Sequence, residues 1–321
     1  MPTMPTMPTV PITAQDIVAL ALIPGAGRNA IHTAIRLAQR HARPLSDLFG
    51  LTTQEILALS GPGETSIAAP LAACGEAEAE RAVYLLKLAG QWSIRHWTCQ
   101  EPGYPVYLRS TLGNQAPPIL FYQGNEALLD EQGAAIVGTR RPSLEGREWA
   151  RKAAELFAEE GVTAVSGGAA GIDTEAHEAA LRADGNTVVI LPEGLHAHQT
   201  PRPLQRGLEN GQVLLVSEFL PTAAWATPQA ITRNRSIAAC GRLTCVIEPG
   251  KKGGSVYTAE QTLAQGKPVF YWGGACRDGF LRNEPNAHPL GGRYGNLHRD
   301  DLIRGLTPPD PPPCQSDLFD T

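Results

Sequence analysis

Apolar residues follow two different patterns along the chain, and the change between them falls near residue 100. Before that point, apolar positions recur every three or four residues, which is the spacing of amphipathic helices. The pattern predicts helices over 14–22, 53–60 and 77–89, and a further helix after the Pro-Gly-Ala-Gly turn at 24–27. We therefore expect a small all-helical domain over residues 13–100.

Short apolar runs alternate with helical patterns from Ala134 onward. Helices are predicted over 147–160, 174–183 and 255–264, and the strands are AAIVG, VTAVSG, NTVVILP, VLLVSEF, LTCVIEP and KPVFYW. This alternation indicates an α/β domain, over residues 101–305, whose parallel sheet is covered on both faces. The Pro-, Gly- and Tyr-rich stretch 100–123 is expected to be a connecting region.

The two ends of the chain differ from the rest in composition. The first residues, MPTMPTMPTVP, lack the basic start and apolar centre of a signal peptide, and residues 1–12 are expected to be a flexible tail. Residues 306–321 include PPDPPPCQSDLFDT, whose prolines favour a Pro-rich disordered tail.

Composition restricts the possible functions. The chain has 321 residues, with 42% hydrophobic and 18% charged, which is typical of a globular protein. The apolar runs are too short to span a membrane, so we expect a cytoplasmic protein without membrane contact. The six cysteines form no C-x-x-C pair and no zinc-type cluster, so no metal or cofactor is expected. A net charge of −5 argues against a generally basic surface but permits a local basic groove.

Three glycine-containing loops follow predicted strands, and ligands of parallel sheets bind at the carboxyl ends of strands. Gly138-Thr139-Arg140-Arg141 follows the first, GAAGID the second, and a loop with Lys251 and Lys252 follows LTCVIEP. Free N–H groups and basic side chains at such positions favour phosphate binding. The dinucleotide fingerprint G-x-G-x-x-G and the P-loop motif are both absent, which argues against NAD use and P-loop hydrolysis.

Acidic residues and one histidine are candidates for chemistry near these loops. Asp173 is either a helix N-cap or a ligand contact, and His177 four residues later forms with it either a catalytic or a local structural pair. Glu218 and Glu248 end apolar strands, where each would contact a sugar hydroxyl or pair with an arginine. No catalytic residue can be assigned from these patterns.

The segment LIPGAGRNAIHTAI resembles a helix–hairpin–helix module. In such a module the glycine turn presents N–H groups to a nucleic-acid phosphate, and Arg28 would lie beside it. A plain helical hairpin with a glycine turn is the equal alternative.

The ordered motifs resemble those of the DprA/Smf family of DNA-processing proteins. They are IVGTRRPS, VSGGAAGIDTEAH, LLVSEF, TRNRSIAACGRLTCVIE and GGSVYTAEQTLAQGKPVF, preceded by YPVYLRSTLGNQAPPILFYQGN. The resemblance implies an extended Rossmann-like fold that binds single-stranded DNA, assists loading of the RecA recombinase in transformation, forms a homodimer and is not an enzyme.

The loops and the resemblance together define the candidate DNA- and phosphate-binding residues. They are Gly138, Thr139, Arg140, Arg141, Ser166, Gly167, Gly168, Gly171, Asp173, Arg233, Asn234, Arg235, Lys251, Gly253, Gly254 and Ser255.

The sequence departs from the family pattern before GID, where Ala170 replaces the usual Arg or Lys. A phosphate groove that loses a cation binds DNA more weakly and with a flatter salt dependence. Lys251 and Lys252 would supply the missing charge.

Two alternatives to DNA binding remain open. A partial match of Gly253-Gly254 and Glu260 to the motif of LOG-type phosphoribohydrolases makes a nucleotide sensor or hydrolase the main alternative, with Glu260 or Asp173 active. A protein scaffold is the other.

The C-terminal QSDLF resembles the peptide by which bacterial repair proteins dock on the sliding clamp. Gln315, Leu318 and Phe319 would be its contacts.

Overall fold

The computed structural model describes residues 11–61, 63–130, 132–273, 279–292 and 295–307. Two compact units divide the chain. The first comprises Met1–Gln123, Pro192–Gln199 and Val216–Ala226, and the second comprises Gly124–Leu191, Thr200–Leu215 and Thr227–Thr321. The sequence-based domain boundaries at residues 12, 100 and 305 stay predictions. Most of both predicted tails lies outside the described residues.

The first unit is mainly helical, and its predicted helices are present with ends that differ from the prediction by at most two residues. The helices are α1 (Ala14–Ala21), α2 (Arg28–Arg40), α3 (Thr53–Leu59), α4 (Ala68–Ala73), α5 (Glu76–Gln91) and α6 (Val106–Leu112), and the strands are β1 (Arg95–Thr98) and β2 (Ile119–Gly124). Helices α1 and α3 begin with capping boxes, formed by Thr13 with Asp16 and by Thr52 with Glu55. Such caps satisfy backbone N–H groups that a helix start leaves unpaired.

The prediction of a connecting region over 100–123 is wrong, because this stretch contains α6 and β2. Strand β2 is buried over its first four residues and pairs antiparallel with β1. Across this pair, the rings of Trp97 and Tyr122 stack with centroids 3.6 Å apart. The prolines that indicated a loop are used in packing, since the buried Tyr104 hydroxyl donates to the carbonyl oxygen of Pro117 at 3.0 Å.

The second unit has the predicted α/β architecture. Its strands are β3 (Gly133–Gly138), β4 (Ala164–Ser166), β5 (Thr187–Leu191), β6 (Val213–Ser217), β7 (Gly241–Ile247), β8 (Val269–Trp272) and β9 (Ala287–Pro289), in the sheet order β6-β5-β4-β3-β7-β8-β9. Its helices are α7 (Leu144–Glu159), α8 (Ile172–Arg182), α9 (Arg202–Glu209), α10 (Thr227–Cys240), α11 (Gly254–Ala264) and α12 (Arg299–Leu306). The pairs β3–β4, β4–β5, β3–β7, β7–β8 and β8–β9 are all parallel.

Apolar side chains on the two sides of the central strands explain why the sheet is buried. Ile136 of β3 and Cys245 of β7 belong to a buried cluster with Phe157 of α7, Ala176 of α8 and Leu302 of α12. Helices α10 and α11 contact β3 and β7 outside that cluster and cover the other side of these strands. The unit therefore has the α/β, Rossmann-like fold that the sequence predicts.

Within the part of the chain that the structure describes, no helix combines the length and the apolar character needed to cross a membrane.

Candidate functional site

Three loops meet at the carboxyl ends of the adjacent strands β4, β3 and β7. The first loop is residues 139–143, the second is 167–171 and the third is 248–253. In the first loop, the Thr139 N–H donates to the Ile247 oxygen at the end of β7, at 3.2 Å, and the Thr139 oxygen accepts from the Ile172 N–H, also at 3.2 Å. We call this region the carboxyl edge, and it brings together the loops that the sequence singled out.

The first loop is held to β7 by a carboxylate. Glu248, whose φ of +48° is rare for a residue with a side chain, accepts hydrogen bonds from Ser143 N at 2.8 Å and Ser143 Oγ at 2.6 Å. Ser143 is also the N-cap of α7. The structure pairs Glu248 with a serine rather than with an arginine, and its contact with a sugar hydroxyl stays a prediction. Arg140 and Arg141 of this loop are exposed.

The second loop is organised by Asp173, which is the second residue of α8. Its carboxylate accepts hydrogen bonds from Gly167 N at 3.1 Å and Ala169 N at 3.3 Å. Burial raises the pKa of Asp173, and the nearby Arg233 opposes that shift. The N-cap of α8 is Gly171, so the prediction of Asp173 as N-cap is wrong. Gly168 is half-buried with a φ of +71°.

The residues of the TRNR segment lie on α10 and hold the second and third loops from inside. Arg233 is 5% exposed and donates from Nη1 to the Gly167 oxygen at 2.7 Å and to the Ile190 oxygen. Asn234 is 6% exposed and donates from Nδ2 to the Gly254 oxygen at 3.1 Å. Arg235 is half-buried and donates to the Thr232 oxygen at 3.2 Å.

The candidate residues that are buried make contacts within the protein, whereas the exposed ones lie on the surface of the loops. The carboxylate of Asp173 and the side chains of Arg233 and Asn234 hydrogen-bond to the main chain of the loops, and Ser166 Oγ donates to the Ile136 oxygen at 2.5 Å. These buried side chains thus support the loops, and the direct DNA contact predicted for them stays a prediction. Direct contact stays a prediction for the exposed loop residues.

His177 forms a structural contact rather than a catalytic one. Its Nδ1 lies 2.7 Å from Thr187 Oγ1, and the Thr187 hydroxyl donates to the Ala164 oxygen at 2.9 Å. Because the single hydroxyl proton is used there, His177 Nδ1 is the donor. Burial, with a smaller effect of Arg233, lowers the pKa of His177 to about 3. The hydrogen bonds of the two residues go to different partners, Asp173 to the second loop and His177 to Thr187, so the structure shows neither a catalytic nor a local structural pair between them.

The third loop presents positive charge. Lys251, Lys252, Gly253 and Gly254 are exposed, and Ser255 is half-buried at the start of α11. Together with Arg140 and Arg141, the lysines place four exposed cations on the loops of the carboxyl edge. Ala170, where the family pattern has a cation, is exposed on the second loop.

In the glycine turn of the first unit, the N–H groups of Ala26 and Gly27 form hydrogen bonds within the turn itself. Ala26 N donates to the Ile23 oxygen at 3.1 Å and Gly27 N to the Gly25 oxygen at 2.9 Å. Arg28 forms an ion pair with Glu218, and their side chains are 10% and 4% exposed. The structure thus favours the plain helical hairpin, and Glu218 takes the arginine partner that was one of its two predicted roles.

Sequence reasoning missed the supports of this site. Thr187 and Glu248 position His177 and Ser143, and their partners lie 10 and 105 residues away along the chain. Neither contact leaves a local motif that a sequence search would find.

The solved structure of DNA processing protein A from Streptococcus pneumoniae is similar, with a TM-score of 0.68 and 25% identity over 92% of this chain and 99% of that chain. DNA processing protein A from Helicobacter pylori matches with a TM-score of 0.55 and 23% identity, over 66% of this chain and 97% of that chain. This second likeness shows the fold alone.

Sequence comparison gives the same family. Protein Smf from Synechocystis is 34% identical over 206 residues, which are 63% of this chain and 49% of that protein. The chain spans about half the length of the curated relatives it matches. The sequence model of DNA recombination-mediator protein A matches residues 95–283. The predicted resemblance is confirmed, and the chain belongs to the DNA recombination-mediator protein A family.

Proposed function

We propose that this protein binds single-stranded DNA along the carboxyl edge, and that it acts as a binding protein rather than an enzyme. The observation that carries the proposal is the meeting of three loops at one edge of the sheet with Arg140, Arg141, Lys251 and Lys252 exposed on them. The sheet also carries acidic residues at this edge, but Asp173 and Glu248 are engaged in holding loops.

The chemistry of the four cations suits a phosphate backbone. Arginine forks and lysine ammonium groups contact phosphate oxygens without reading the base sequence. Since each neutralised phosphate releases counterions, binding should weaken steeply as salt rises. A member of the same family, DNA processing protein A from Helicobacter pylori, has a single-stranded DNA binding mode, and the proposal extends this ligand class to the present chain on the basis of the shared family.

The test is a binding titration of a fluorescent dT oligonucleotide over a series of salt concentrations. Arg140→Ala should lower the affinity and flatten the salt slope by about 0.7, the value for one phosphate contact on a single strand. Arg182→Ala is the matched control, because it removes an equal charge from an exposed position. Arg182 is the last residue of α8, and the start of this helix, not its end, adjoins the carboxyl edge. This variant should leave both quantities unchanged.

Mononucleotides in the same titration separate DNA binding from the alternative function. A nucleotide sensor or hydrolase would bind AMP or ATP with little salt dependence, and a hydrolase would release ribose phosphate. Efficient competition by mononucleotides, together with released ribose phosphate, would contradict the proposal. We expect neither, and we expect Glu260→Gln to behave like the unchanged protein.

The proposal extends to partners that the family resemblance implies. Bound as a homodimer on single-stranded DNA, the protein would assist RecA loading during DNA uptake and recombination. RecA filament assembly on DNA coated with single-strand-binding protein should be faster with this protein than with Arg140→Ala. Light scattering during size-exclusion chromatography measures the dimer directly.

The sliding clamp is a further proposed partner. Gln315, Leu318 and Phe319 lie outside the described residues, so this partner rests on the sequence resemblance. Removal of the last eight residues should abolish clamp binding in a pull-down and leave DNA affinity unchanged; unchanged clamp binding would contradict it.

A further inference from the structure

Exposed apolar side chains are rare in the second unit. Among its described residues, the large apolar side chains that remain exposed are Leu144, at 86%, and Ile231, at 48%. Burial of an aliphatic side chain is favourable, so a compact unit normally hides side chains of this size when packing allows. Two isolated exposed residues would not need explanation, but their positions coincide with the site.

Leu144 lies directly beside the first loop. It is the first residue of α7 and follows Arg140, Arg141 and the N-cap Ser143 in the sequence. Ser143 is held by two hydrogen bonds to Glu248, so the backbone that carries Leu144 is anchored to the end of β7. The exposed side chain of Leu144 is therefore held at the carboxyl edge by the hydrogen bonds of Ser143.

Ile231 lies at the same edge, on α10. It precedes Arg233 by two residues, which corresponds to about 3 Å along the helix axis and about 200° around it, so Ile231 is on the exposed side of α10 and Arg233 on the buried side. Arg233 itself donates to the oxygens of Gly167 and Ile190, at the carboxyl ends of β4 and β5. Leu144 and Ile231 thus accompany the loops that end β3 and β4, on two different helices.

We propose that Leu144 and Ile231 contact the bases of the bound strand, and that the site thereby requires DNA whose bases are unpaired and unstacked. The inference rests on the proposed function. The phosphates that Arg140 and Lys251 would contact are present in single and double strands alike. Base faces are apolar, and in a duplex they are buried in the stack. Aliphatic contacts to base faces therefore stabilise a complex with a single strand but not with a duplex, and they do not depend on which base is present.

The experiment compares two oligonucleotides with the same number of phosphates, one of dT and one of abasic residues. The unchanged protein should bind dT at least about tenfold more tightly. Leu144→Ser and Ile231→Ser should each reduce that preference by about fivefold and leave the salt slope unchanged. Val106→Ser, at an aliphatic residue of the first unit that is 71% exposed, is the matched control and should keep the full preference.

The outcomes separate this inference from the function on which it rests. If the two serine variants keep the preference for dT, the apolar contact is overturned while DNA binding stands. If the unchanged protein binds both oligonucleotides equally, with a salt slope that Arg140→Ala flattens, the contact is again overturned. If neither oligonucleotide binds, the proposed function itself fails. Thermal unfolding checks that each variant is folded. We expect that they are, because both substituted side chains are exposed.

Discussion

The glycines of the second loop are small because the protein's own atoms approach them. A Cβ at Gly171 would lie 2.4 Å from the Thr139 oxygen, and one at Gly167 would lie 2.3 Å from Arg233 Nη1. The sequence shows that SGGAAGID is unusually poor in side chains, and it correctly indicates a close approach. It cannot show that the approaching groups are the first loop and an arginine, since these lie far away along the chain.

Replacement of Gly171 by alanine should destabilise the second unit by about 3 kcal/mol or more. The residue has a φ of +93° and a ψ of −123°, which only glycine adopts readily, and the new methyl group would clash with backbone atoms. Gly161→Ala is the control, since its φ is +68° but nothing lies within 4 Å of the added Cβ. It should cost about 1 kcal/mol. Equal losses in urea unfolding would contradict this account.

Ala170→Lys should increase the affinity for single-stranded DNA. Ala170 is exposed on the second loop, and a lysine there would add a cation to the proposed groove without disturbing a buried contact. One additional phosphate contact should steepen the salt slope by about 0.7. The oligonucleotide titration measures this, with Ala183→Lys, at an exposed position just after α8, as the control of equal charge. A gain of equal size in both variants would indicate a general charge effect.

Among the elements, the alternation of apolar runs and helical patterns correctly predicts the α/β unit. Strands such as β5 and β7 are buried along nearly their whole length, and the sequence shows this as continuous apolar runs. Strand β2 was missed because prolines precede it and its partner β1 is only four residues long. Helix α10 was missed because it includes the polar TRNR segment, whose arginine and asparagine are buried by loops that the sequence cannot position.

The start of α2 gives a prediction that separates the two interpretations of the glycine turn. Arg28→Ala leaves Glu218 buried without its ion pair, which should cost about 3 kcal/mol of stability. DNA affinity at low temperature should not change, because Arg28 is engaged within the first unit. The double variant Arg28→Ala/Glu218→Ala should recover part of the stability. A loss of DNA affinity with a flatter salt slope would restore the helix–hairpin–helix interpretation.

At the scale of the whole molecule, a net charge of −5 and a basic edge coexist because the four exposed cations Arg140, Arg141, Lys251 and Lys252 lie on loops that meet at one edge of the sheet. Net charge alone argues only against a generally basic surface and does not locate a basic groove. The order of the loops along the chain was the better guide, since a parallel sheet brings the carboxyl ends of adjacent strands together.

Global stability should depend on pH through His177. Its pKa is about 3 in the folded protein and near 6.5 in the unfolded chain, so the unfolded state binds more protons between these values. The stabilisation is therefore complete above pH 6.5 and decreases as pH falls toward 3, by up to about 1.4 kcal/mol per unit. His177→Gln should remove this contribution. Urea unfolding of both proteins at pH 7.5, 6 and 5 measures the difference, and parallel stability profiles would contradict the assignment.

The supports of the second and third loops have a consequence for how this surface changes during evolution. Asp173, Arg233 and Asn234 bind main-chain atoms of Gly167, Ala169 and Gly254, so the loop shape does not depend on which side chains the exposed positions carry. Position 170 can then gain or lose a cation by mutation with little effect on folding. Affinity for a ligand can therefore change through mutation of the exposed loop positions without a matching change in the stability of the fold.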